Sequence, residues 1–203
     1  MLESSPTERF RFRRPQFAPG ICALLSLVAV ALPVSSAQAP GTQPGEGEVK
    51  AAYLLNFGRF LRHSSGPNPP RASFDICILG QDSLGHGIDD IAANETIGRL
   101  PLHVRRLADV TAAKGCDILY LSAQEGEELR EDLAILSGSD ALTVSDASDF
   151  LDRGGMIQFL VIQDHVRFAV NLNAVNRAHL VLSSELLRVA SSVIGKPAAG
   201  DMP

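Results

Sequence analysis

His63, His86, His103, His165 and His179 are the five imidazoles of this chain, the side chains best suited to proton transfer and metal binding near neutral pH. Their spacing favours neither. No H-x-x-x-H pair sets two of them on one helix face, and none has a carboxylate at a matched spacing, so each reads as a surface or turn residue. No G-x-S-x-G elbow presents a serine nucleophile, which leaves hydrolysis a weak hypothesis. The stretch from Gly80 to Gly87, GQDSLGHG, is glycine-rich and follows an apolar run, the setting of a phosphate cradle. It lacks both the Gly-Lys-Ser/Thr of a P-loop and the G-x-G-x-x-G of a dinucleotide site, and an ordinary turn is the plainer account.

Two groupings hold more chemistry. Arg177 and His179 open the last predicted helix, while Arg59 and Arg62 end the first. If those helices pack side by side, the four line a small anion site; alternating solvated charge is the competing account of the same residues. Cys22 lies in an apolar N-terminal run, which leaves Cys77 and Cys116 in the body of the chain. They either form a disulfide, stabilising by roughly 4 kcal/mol through loop closure, or lie as buried thiols on neighbouring strands. No CxxC or Cys/His spacing suggests zinc, and no motif calls for a cofactor.

The elements that must position these residues follow from hydrophobic period. Val49, Ala52, Tyr53, Phe57, Phe60 and Leu61 repeat at three and four, so a helix is expected there, stopped by SSGPNPP from Ser64. FDICILG and CDILYLS are uninterrupted apolar runs of the buried-strand kind. Between them DSLGHGIDDIAA predicts a short helix with Asp82 or Ser83 as N-cap, and PLHVRRL alternates as a half-exposed strand near a sheet edge. An amphipathic helix carrying Leu129, Leu133 and Leu136 comes next, then the strand ALTVSDA and a short helix SDFLDRGG. From Gly154 to Val175 two β-rich runs flank Gln163-Asp164-His165, with Val166, Phe168, Val170 and Leu172 alternating against Arg167, Ala169, Asn171 and Asn173, the pattern of an antiparallel hairpin. A long closing helix is expected from about Asn173 to Ile194, its inner stripe Val175, Ala178, Leu182, Leu186, Val189 and Val193. Leu54 and Leu55 on the first helix, and Leu180, Val181 and Leu187 on the last, lie off these stripes and, unless both helices are fully buried, form a candidate partner or dimer surface. The order of strands and helices predicts an α/β single compact domain: a mixed sheet with a C-terminal antiparallel hairpin and helices on both faces.

The N-terminus belongs elsewhere. Arg9, Arg11, Arg13 and Arg14 precede an apolar run from Ile21 to Val34, and small residues follow at Ser35, Ser36, Ala37 and Ala39, the layout of a cleavable secretory signal cut after Ala37 or Ala39. A transmembrane anchor is the competing account, but Pro19, Gly20 and Pro33 leave an apolar run shorter than the roughly 20 residues a span needs. Residues 1–39 are therefore read as the signal, 40–48 as a disordered Pro/Gly-rich linker, 49–195 as the domain and 196–203 as a flexible tail. The signal carries four Arg and two Glu, so its loss takes the formal charge from −5 to −7. A chain this acidic, with no Trp and two Tyr, is ill suited to nucleic acid.

In order along the chain, VKAAYLLNFGRFLRH, FDICILGQDSLG, VRRL, CDILYLS, LTVSDASDFLDRGGMIQFL, VRFAVNL and SSELLRVASSVIG resemble the YfiR-like family of Gram-negative periplasmic proteins over about residues 49 to 195. The resemblance implies a non-enzymatic repressor that binds the periplasmic sensory domain of an inner-membrane diguanylate cyclase and holds it inactive, lowering cyclic di-GMP and biofilm output. It also implies an outer-membrane, OmpA-like lipoprotein that can sequester the repressor, a commonly dimeric α/β fold, and a stabilising disulfide where Cys77 and Cys116 fall. No membrane insertion is expected once the signal is cleaved. Two rivals stand beside this reading: a small-molecule sensor using the basic residues around Arg177 and His179, and a periplasmic enzyme with a strongly perturbed titratable group in a closed pocket.

Overall fold

In FDICILG, successive side chains point to opposite faces of a strand, so an unbroken apolar run needs cover on both sides. The computed structural model, which describes residues 44–64, 71–122 and 126–196, supplies that cover. Along the chain the elements are α1 (Glu46–Phe60), β1 (Leu61–His63), β2 (Phe74–Gly80), α2 (Gly87–Ala92), β3 (Thr96–Ile97), β4 (Leu100–Leu107), a 3-10 turn (Val110–Ala113), β5 (Ile118–Ser122), α3 (Gly126–Ile135), β6 (Leu142–Ser145), β7 (Ile157–Ile162), β8 (His165–Asn171), α4 (Leu172–Arg177), β9 (Leu180–Leu182), α5 (Ser184–Val189) and β10 (Ser192–Ile194).

Among the described residues one sheet has the order β10-β8-β7-β6-β5-β2-β4-β3. Strands β4, β2, β5, β6 and β7 run parallel, and β8 returns antiparallel to β7. Phe74, Ile76 and Ile78 of β2 join Ile118, Tyr120, Leu142, Val144, Phe159 and Phe168 in a core covered by α1, α2, α4 and α5. Cys77, Leu79, Leu119 and Leu121 point the other way, into a second core under α3 and the 3-10 turn. The mixed sheet with helices on both faces is the predicted fold. The hairpin closes on Gln163 and Asp164, with φ of 51° and 59°, the mirror-image two-residue turn whose twist matches that of paired strands.

Several details depart from the sequence reading. Helix α1 starts at Glu46, inside the stretch read as linker, where the Glu48 carboxylate accepts the Gly45 N–H at 3.2 Å. Residues 40–43 of that linker, the signal reading over 1–39 and residues 197–203 of the tail lie outside the described residues. The buried side of α1 is rotated from the predicted stripe: Lys50, Ala51, Leu54, Leu55, Phe57 and Gly58 are buried, while Ala52 is exposed. Asp82 accepts the N–H groups of Leu84 and Gly85 and so caps a turn, and α2 begins later, at Gly87. The stretch SDFLDRGG is a run of turns ending with Gly154 at φ 96°.

The long C-terminal helix breaks into α4, β9, α5 and β10. His179 turns the chain at φ 57°, Leu180, Val181 and Leu182 pair antiparallel with β1, and the Ser183 hydroxyl caps α5 by accepting the Leu186 N–H. A segment HLVLSS satisfies a strand period and a cap as well as a helix stripe, and pairing with β1 decides between them. Leu54, Leu55 and Leu180 are accordingly core residues, at 0%, 7% and 1% exposure, and Val181 and Leu187 are half-buried, so three of the five residues expected on a partner surface are interior. Leu54→Ala and Leu180→Ala should each lower the unfolding free energy by about 2–5 kcal/mol in urea titration. Unchanged midpoints would return both residues to the surface.

Candidate functional site

Strands β2 and β5 are where this sheet reverses its order of winding, the position at which open α/β sheets commonly bind ligands beyond the strand C-termini. Here that crevice is filled by the chain itself. Lys50 of α1 has a side chain 6% exposed, and its Nζ lies 2.7 Å from both Asp146, just after β6, and Glu46, one turn back on α1. The Tyr120 hydroxyl donates to Asp146 at 2.9 Å, and Ser83 Oγ lies 3.0 Å from that hydroxyl and 2.8 Å from Ser122 Oγ. Burial works to lower the Lys50 pKa, but the hydrogen bonds to Asp146 and Glu46 outweigh it and hold the ammonium more firmly protonated than usual. Burial pushes the Tyr120 phenol up to about 12. A charged Lys50 and a neutral Tyr120 supply neither a base nor a nucleophile at neutral pH; they clamp α1 across the strand ends.

The predicted disulfide is present. Cys77 of β2 and Cys116, just before the adjacent β5, are bonded with Cα atoms 5.9 Å apart, and both are fully buried. The four-residue basic group is not assembled as predicted. Arg59 pairs with Glu95 at 3.0 Å. Arg59 and Arg62 line a cleft of about 390 Å³ with Arg71, whose guanidinium is 3.3 Å from buried Asp117, so that cleft already carries its own carboxylate. His179 gives its carbonyl to the N–H and hydroxyl of Ser64. Arg177 lines a different cleft, of about 620 Å³, together with Arg130 and Arg153. Its two arginine neighbours come from α3 and the turns before β7, and no spacing in the sequence links them.

The exposed large apolar residues are not the predicted ones either. Val161 and Ile162, 58% and 45% exposed, stand at the end of the hairpin, and Val193 and Ile194 lie on the edge strand β10. Val161 and Val166 face Val49 and Tyr53 of α1 across a groove of about 440 Å³. Among the described residues, no group of three or more His, Cys, Asp or Glu is placed to hold a metal, and no helix is long and apolar enough to cross a membrane.

A family model described as YfiR/HmsC-like matches residues 47–191. The chain belongs to the YfiR/HmsC-like family. Family membership agrees with the sequence resemblance. A crystal structure of a conserved domain protein from Vibrio cholerae O1 biovar El Tor has a similar fold, with a TM-score of 0.51 at 11% identity. The likeness covers 73% of this chain and 60% of that one. No curated protein matches the chain.

With two tyrosines in the chain, a Tyr53→Phe variant isolates Tyr120 in spectrophotometric titration. Its midpoint should lie near 12, against an ordinary value of 10.0. Because the folded pKa is raised, the associated stability is complete below pH 10 and is lost as the pH rises through about 12. A native-state midpoint at 10 would contradict the burial of this hydroxyl.

Proposed function

We propose that the chain is a periplasmic, non-enzymatic regulator that binds the periplasmic sensory domain of an inner-membrane diguanylate cyclase and holds it inactive, lowering cyclic di-GMP and biofilm output. The observation that carries this reading is the family match, which spans residues 47–191. Export is supported by the signal pattern over residues 1–39 and by a disulfide, a bond that persists in oxidising compartments. The strand-end crevice, where a substrate would sit, is closed by the Lys50 clamp. Repression asks only for differential affinity: moving a cyclase from 1:99 to 99:1 requires binding the inactive conformation about 5.5 kcal/mol better than the active one. No catalytic side chain is needed for that.

The contact surface in this reading is the groove between α1 and the hairpin, continued by Val161 and Ile162. It replaces the surface first assigned to Leu54, Leu55, Leu180, Val181 and Leu187. An OmpA-like lipoprotein that sequesters the regulator, and a homodimer of it, belong to the same proposal.

The test is recovery of detergent-solubilised inner-membrane proteins on the purified protein, read by mass spectrometry. The oxidised protein should retain a diguanylate cyclase. Val161→Asp and Ile162→Asp should weaken retention about tenfold or more while leaving unfolding midpoints unchanged, since both side chains are exposed. A folded, oxidised protein that retains no cyclase would remove the proposal. Cys77→Ser with Cys116→Ser should lower stability by about 2–5 kcal/mol. Retention by that variant, where it is still folded, would make the disulfide a matter of stability alone.

A further inference from the structure

The cleft that receives Arg177 lies where the sheet is notched. Strand β7 joins β6 only through Val144↔Ile157 and Ser145↔Gln158, so Thr143 projects from β6 beyond the start of its neighbour. Thr143 is 3% exposed and lines the cleft, and its Oγ1 has no hydrogen-bond partner among the described residues. A buried hydroxyl in that condition is uncommon, because an unmade hydrogen bond in a dry site is unfavourable. Arg130, Arg153 and Arg177 surround the same space, and no Asp or Glu belongs to its lining. Arg130 and Arg153 are paired with carboxylates that lie outside the lining, so Arg177 brings the uncompensated charge.

The three guanidinium groups are not equivalent. Arg130 pairs with Glu127 on the same turn of α3. Arg153 donates Nε to Asp149 at 2.6 Å and an Nη to the Gly126 carbonyl at 3.1 Å, which fixes its plane and leaves further N–H groups unused. Arg177 makes no ion pair or side-chain hydrogen bond among the described residues, and its Nη2 lies 4.0 Å from where a Cβ on Gly154 would stand. The wall between them is apolar, from Leu133, Met156 and Ala174. Fixed guanidinium forks recognise the oxygens of carboxylates and phosphates bidentately, a buried hydroxyl adds one donor, and an apolar wall accommodates a hydrocarbon body.

We propose that this notch, built by Arg130, Arg153, Arg177 and Thr143, binds a small organic oxyanion, a phosphate monoester or carboxylate carrying an apolar group. The site does not depend on cyclase binding. It lies at the opposite end of β6 from Asp146, the residue that follows that strand.

The test is titration of the ¹⁵N-labelled protein with phenyl phosphate, benzoate and inorganic phosphate, each to about 10 mM, followed by amide shifts. Saturable shifts at Ser139, Thr143 and Gly154 with phenyl phosphate or benzoate are expected, weaker with inorganic phosphate and reduced by added salt. Phenyl phosphate alone would specify a phosphate ester; benzoate as well would specify the oxyanion shared by both. Arg177→Gln should weaken binding at least about tenfold, while Arg188→Gln, which removes an exposed charge on α5, should not. Thr143→Val, nearly isosteric, should weaken binding while leaving the unfolding midpoint unchanged or raised, an outcome that a purely structural hydroxyl would not give. Absence of saturable shifts with all three probes, or equal weakening by Arg188→Gln, would overturn the proposal.

Discussion

Phe57 constrains everything that surrounds it. The ring is fully buried and meets Phe168 at 5.0 Å, edge to face, and Phe159 at 5.8 Å, stacked. Tyr53 and Tyr120 extend the cluster to 5.5 and 6.1 Å contacts with the same two strand aromatics. Seating that ring presses α1 against the sheet. Gly58 makes the close approach possible, since a Cβ there would stand 2.9 Å from the Phe74 ring. On a helix of 3.6 residues per turn, Lys50 lies on the same side as Leu54 and Phe57. Packing the aromatic thus carries an ammonium into the strand ends, and Asp146 and Glu46 are what make its burial tolerable.

That chain of causes explains what the sequence disclosed. FDICILG and CDILYLS are legible because a strand covered on both faces has no polar positions to hide, and the hairpin is legible because its alternation and turn agree. The disulfide follows from those strands lying next to each other. The α1 stripe is not legible because Lys50 counts as a surface residue until its partner is known, and Asp146 lies 96 residues away. The spacing of Lys50, Leu54 and Phe57 is the signal available, yet it carries no charge partner within itself. The C-terminal segment failed for a related reason: its local pattern fits two periods, and β1, more than a hundred residues upstream, selects the strand. The basic notch draws its arginines from three separate elements, so no window of sequence contains it.

The two covered faces also separate the molecule's tasks. The disulfide belongs to the core under α3, whereas the hairpin groove belongs to the α1 side. With both cysteines fully buried, oxidation cannot alter a partner contact directly. Its influence on binding passes through the stability of the sheet that carries both faces.

The separation in sequence between α1 and the hairpin sets the order in which the chain can become native. The Tyr53 hydroxyl reaches the Val166 carbonyl across 113 positions, while the cysteines are 39 apart. As a chain emerges from its N-terminus, the cysteine loop can close while α1 still has no hairpin to cover it. The aromatic side of α1 then stays wet until the last third arrives, and contacts so distant along the chain form slowly. A nascent chain of this design is stapled early and sealed late, and in the interval its first helix is a natural hold for a chaperone.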